Sequence, residues 1–60
     1  MKQEDFDKLE VGDVVKGVFS GVDYVITDKW VDSKVRITFR AERSVTMTLA
    51  NDWKLVHRKT

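Results

Sequence analysis

Sixty residues allow one domain, spanning 1–60, and a chain this short buries only about 60% of the surface its unfolded form exposes. With no cysteine and a single histidine it has neither disulfides nor thiolate zinc to hold it, which leaves a tightly packed small core or self-association. A composition 42% hydrophobic and 35% charged is globular rather than disordered, and a net charge of +1 falls short of the strongly basic balance of a dedicated nucleic-acid domain.

The opening MKQEDFDKLE is acidic and polar and does not read as a signal peptide. Within it, Phe6 and Leu9 are spaced i, i+3, which predicts one helical turn with both side chains inward. Gly12 supplies the positive φ that ends such a turn. DVVKGVFSGV follows as a strand with Val15, Gly17 and Phe19 on one face. Gly17 marks a bend, bulge or close backbone approach, and Ser20-Gly21 a turn. VDYVITDKWV is a second strand, rich in β-branched and aromatic residues. Tyr24, Ile26, Asp28 and Trp30 would share one face, and Asp28 breaks it, so a bulge or turn near Asp28-Lys29 is expected.

After a reversal at Asp32-Ser33-Lys34, KVRITFRAERSVTMTL alternates twice. Val35, Ile37, Phe39, Val45, Met47 and Leu49 share one face; Arg36, Thr38, Arg40, Ser44, Thr46 and Thr48 share the other. This predicts a hairpin setting Phe39 opposite Val45, Ile37 opposite Met47, Val35 opposite Leu49, Arg36 opposite Thr48 and Thr38 opposite Thr46. Its corner is Ala41-Glu42-Arg43, without the Gly or Asn such loops favour. Asn51-Asp52 suits a 3₁₀ turn, WKLVHR a short last strand with Trp53 plugging the core, and the tail a frayed end.

These elements predict an all-β fold: a small barrel of about five antiparallel strands, with a short N-terminal helical turn and a 3₁₀ turn before the last strand. Closing the sheet would remove its exposed edges. The stretches FDKLEVGDVVKG, with a Val-Gly-Asp turn feeding the first strand, and NDWKLVHR, with an acidic-aromatic turn before a Leu-Val strand, resemble the SH3-like barrels. KOW-like domains and small barrel proteins of phages and prophages are similar in these respects. The resemblance implies a small binding domain. The aromatic cluster that peptide-binding SH3 domains carry in their first long loop has no counterpart in GVFSGV, so proline-rich peptide recognition is not expected.

Nothing points to catalysis. His57, the one imidazole, has no serine placed beside it by the pattern; Ser20, Ser33 and Ser44 fall in turns or corners. Glu4, Asp5 and Asp7 match no calcium-loop spacing, and Gly12, Gly17 and Gly21 form no phosphate loop. No catalytic, cofactor or metal residue and no small-molecule substrate is therefore expected.

The remaining signal is charge. Residues 1–13 carry net −3, 14–33 carry −1, and 34–60 carry +5. This asymmetry marks an interaction surface, or else the two ends lie side by side and neutralise each other. The candidate surface comprises Lys34, Arg36, Arg40, Arg43, Thr46, Thr48 and Lys54, with Trp30 as a core residue or an exposed anchor. A non-catalytic module binding a protein partner or itself is the leading expectation. The alternative is nucleic-acid binding through the basic face of the 34–49 hairpin, with phosphates held by Arg and Lys. Cytoplasmic location without membrane contact is expected, since no apolar run nears the roughly 20 residues a membrane helix needs.

Overall fold

The computed structural model describes residues 1–32 and 36–59. In chain order these form α1 (Gln3–Asp7), β1 (Val14–Gly17), β2 (Asp23–Val31), β3 (Ile37–Ala41), a 3₁₀ turn (Glu42–Ser44), β4 (Val45–Met47), a second 3₁₀ turn (Ala50–Asp52) and β5 (Trp53–His57). The fold is all-β: five antiparallel strands in the order β4-β3-β2-β1-β5, with the expected N-terminal helix and the expected 3₁₀ turn before the last strand. The sheet stays open. Among the described residues no pairing joins β4 to β5, and these strands are its two edges.

Long β2 belongs to both halves of the sheet. Its first residues pair with β1 (Val14 with Val25, Val15 with Tyr24), and its later ones with β3 (Asp28 with Arg40, Trp30 with Thr38). The register shifts between Ile26 and Asp28, leaving Thr27 as the extra residue of a bulge. That lies within a residue of where the broken alternation placed it, and its effect is to turn Asp28 outward. Thr27 supports the bend, its hydroxyl donating to the Arg40 carbonyl at 3.1 Å. The Val25 N–H, left without a strand partner there, donates to the Glu42 carboxylate at 3.0 Å.

The curled sheet gathers Val15, Ile26, Phe39, Ala41, Met47 and Trp53 into one cluster, which Phe6 of α1 and Leu9 just beyond that helix close. Both side chains are fully buried, and the Phe6 ring meets Phe39 edge-on at 4.9 Å. Burial of an aromatic side chain of this size stabilises by about 3 kcal/mol, which is why five helical residues persist where an isolated peptide of that length would not. Trp53 is buried as expected, edge-on to Tyr24 at 5.7 Å.

The turn into β1 is organised by Asp13, only 2% exposed. Its carboxylate accepts the Glu10 N–H at 2.9 Å and the Lys59 N–H at 2.8 Å. The tail is therefore tied down as far as Lys59 rather than frayed. Gly12 has φ +101°, and a Cβ there would meet the Lys59 Cδ at 2.6 Å.

Four further expectations are corrected. The first strand stops at Gly17, because the Gly21 N–H donates to the Gly17 carbonyl and the Val18 N–H turns to Asp52. Phe19 consequently sits in the turn, 88% exposed, and not on the inner face. The hairpin pairs Phe39 with Met47, Arg40 with Thr46 and Ala41 with Val45, two residues away from the expected register. Its corner is Glu42–Ser44, because Ala41 is buried and pairs with Ile26. Without a glycine at that corner, Arg43 and Ser44 take positive φ of 65° and 61°. Finally, Leu49 lies beyond β4 and is 58% exposed, whereas Val35, its expected partner, lies outside the described residues.

Candidate functional site

Alternation about buried Phe39, Ala41 and Met47 turns Arg40 and Thr46 to the outer face of the β2–β3–β4 half, where they are directly opposite one another. On the other flank of β3, Asp28 stands opposite Arg40 and Trp30 opposite Thr38. Trp30 is thus a surface residue, 38% exposed. The Arg40 guanidinium lies 5.6 Å from its ring centroid. A cation over an indole at this separation is stabilising by about 0.5–1 kcal/mol at an exposed site, enough to favour this arrangement of the two side chains. Thr38, the β3 residue opposite Trp30, is 4% exposed, and its Oγ1 has no hydrogen-bond partner among the described residues.

Arg36 precedes β3 and is exposed. Its N–H donates to the Asp32 carboxylate at 3.2 Å, and the Asp32 N–H donates to the Arg36 carbonyl at 2.9 Å, which closes the connection from β2. Lys34 lies outside the described residues. Thr48 is exposed just past the end of β4.

Two expected members do not join this group. Lys54 is on β5, with β1 and β2 between it and β3; it stands opposite Lys16, which pairs on its other side with Asp23 at 3.9 Å. Arg43 sits at the hairpin corner with its guanidinium 5.7 Å from the Tyr24 ring centroid. Tyr24 packs on the core side with Trp53, so Arg43 covers an end of the core.

The candidate face is therefore Trp30, Arg36, Arg40 and Thr46, with Asp28 among them. Its charge is mixed, not a basic stripe. The acidic start does not neutralise the basic second half through ion pairs: among the described residues its one such contact is Glu10 with Lys29 at 3.3 Å, a residue of β2. Lys29 also lies 5.7 Å from the Phe39 ring centroid, so this pair shields the core at the sheet end.

Sequence reasoning overlooked Asp13 and the exposure of Phe19. For Asp13 the available signal was its place after Val11-Gly12, where a short acceptor can bind nearby backbone N–H groups. For Phe19 it was the Ser-Gly immediately following.

Among the described residues no cavity opens on this face or elsewhere, and no three of His, Cys, Asp and Glu converge as metal ligands. No described helix is long and apolar enough to cross a membrane.

No family model, curated protein or solved structure matches the chain.

Proposed function

We propose that this protein is a non-catalytic binding module that recognises another protein through the outer face of β2–β3–β4. The observation that carries the reading is the Trp30–Arg40 pair: a large aromatic ring left 38% exposed on the outer strand surface, with an arginine guanidinium 5.6 Å from its centroid. Trp and Arg are the residues most enriched among those that dominate protein–protein affinity. Contact between the two side chains lowers the side-chain freedom they lose on binding. Arg36 and Thr46 supply polar groups at the rim, and Asp28 adds a negative charge that suits a partner of mixed charge.

Nucleic-acid binding is less well supported. Asp28 lies directly opposite Arg40, Lys54 is on the far half of the sheet, and the accessible side of Trp30 on which a base would stack is shared with Arg40. The same proposal places the chain with the SH3-like barrels of the phage- and prophage-accessory kind. Its support is the strand order, the shared bent β2 and the 3₁₀ turn preceding β5.

The test is capture from a lysate of cells that make the protein, comparing wild type, Trp30→Ala, Arg40→Glu and Lys54→Glu. The reading expects one protein retained by wild type and Lys54→Glu, and weakened about 30-fold by Trp30→Ala, the cost of losing about 2 kcal/mol. Equal retention by the wild type and all three variants refutes it. Retention of nucleic acid that fades with salt and is lost in Arg40→Glu supports the other reading.

A further inference from the structure

The sheet has two edges, and they differ. β5 carries Lys54 and runs on into Arg58 and Lys59. Charges of this kind blunt an edge against pairing with other strands. β4 has no such protection: Ser44 to Ala50 read SVTMTLA, without charge, proline or glycine. Among the described residues no strand pairs with β4 on the side away from β3. The backbone is extended again at Leu49 (φ −115°, ψ 118°). Thr46, Thr48 and Leu49 are all exposed.

The stretch Val45-Thr46-Met47-Thr48-Leu49 reads nearly the same in both directions: apolar, Thr, apolar, Thr, apolar. An antiparallel pair of identical strands is related by a two-fold axis, and each residue meets its mirror position in the pattern. A segment palindromic in character is therefore complementary to itself.

We propose that two copies of this chain pair antiparallel along β4, with the axis at Met47. Thr46 then stands opposite Thr48 of the second copy, and Val45 opposite Leu49 of the second copy. Cross-strand Thr–Thr and aliphatic pairs are favourable, and no like charges meet. Leu49 gains a cover that its own chain does not provide. A two-fold axis through an antiparallel pair is perpendicular to the sheet, so both Trp30–Arg40 faces lie on the same side of one ten-stranded sheet. The dimer is thereby bivalent toward any partner with two matching sites.

Sedimentation equilibrium from micromolar to millimolar protein tests the association, and cross-linking tests the register. The weight-average mass is expected to rise from 7.0 kDa toward twice that value, to be insensitive to salt, and to be unchanged by Trp30→Ala. The Thr46→Lys/Thr48→Lys double variant, checked as folded by circular dichroism, is expected to remain monomeric. The chain has no native cysteine, so Thr46→Cys and Thr48→Cys proteins can be mixed under mild oxidation. Opposed strand positions lie within disulfide reach, so the mixed pair should form well above the random proportion. A mass that stays at 7.0 kDa throughout overturns the proposal. So does a dimer broken by salt or Trp30→Ala but not by the double lysine variant, and so does random or absent cross-linking.

Discussion

Replacing Asp13 with Ala should remove a large share of the stability of this domain. The carboxylate is 2% exposed and accepts two backbone N–H groups, from Glu10 at 2.9 Å and Lys59 at 2.8 Å. Hydrogen bonds to a charged acceptor contribute about 1.5–3 kcal/mol each. Both amides belong to residues whose side chains are exposed and would regain some water in the variant, so the lower end of that range applies. Two such bonds give about 3 kcal/mol. A 60-residue domain has only about 3–9 kcal/mol in total, from roughly 0.05–0.15 kcal/mol per residue. Asp13→Asn keeps one acceptor oxygen and turns an NH₂ group toward the other amide, so it should lose about half as much. Urea unfolding followed by tryptophan fluorescence measures this directly. With a slope near 1 kcal/mol/M, the Asp13→Ala midpoint should fall by about 3 M. Amide exchange at Lys59 should accelerate in both variants, most in the alanine. A midpoint shift below about 0.5 M, or a Lys59 amide as protected as in the wild type, would refute the reasoning.

Other substitutions test other parts of the structure. Ser44→Gly should stabilise by about 0.5–1 kcal/mol in the same assay, because it relieves a left-handed residue costing roughly 1–2 kcal/mol against glycine's own entropic cost of about 0.5–1 kcal/mol. Gly12→Ala should destabilise by at least about 1 kcal/mol, since φ is +101° there and Lys59 would have to move. Thr38→Val should stabilise by roughly 1 kcal/mol, because it deletes a buried hydroxyl that has no partner among the described residues; a lower midpoint would show that the hydroxyl is bonded. An oligonucleotide pool added at low salt to the labelled protein should leave the amides of Trp30, Arg36 and Arg40 unshifted, and salt-sensitive shifts there would favour the nucleic-acid reading.

The parts of this fold that alternation can encode were legible, and the parts set by hydrogen bonds between distant segments were not. The inward set of the hairpin was legible in Phe39, Val45 and Met47. Its register was not, because a slip of two residues leaves every side chain on the same face. The choice was made by Ala41, whose burial against β2 pulls it out of the corner and pushes Arg43 and Ser44 into positive φ. The bulge was readable near Asp28 because a charge had broken an otherwise apolar face, and the same bulge decides that Trp30 points outward. Phe19 continued an alternation that the backbone had already left at Gly17, where bonds from Gly21 and to Asp52 end the strand. Lys54 was grouped with Arg36 and Arg40 by charge alone. The strand order, which no local pattern encodes, puts it on the other half of the sheet.

The claim at the centre of this account is that Trp30 and Arg40 form the contact surface. Amide-resolved NMR of the labelled protein with the captured partner added stepwise tests it most directly. The account predicts shifts concentrated at Trp30, Arg36, Arg40 and Thr46, with Lys16 and Lys54 unmoved. A footprint on β1 and β5 that leaves Trp30 and Arg40 unmoved would contradict it.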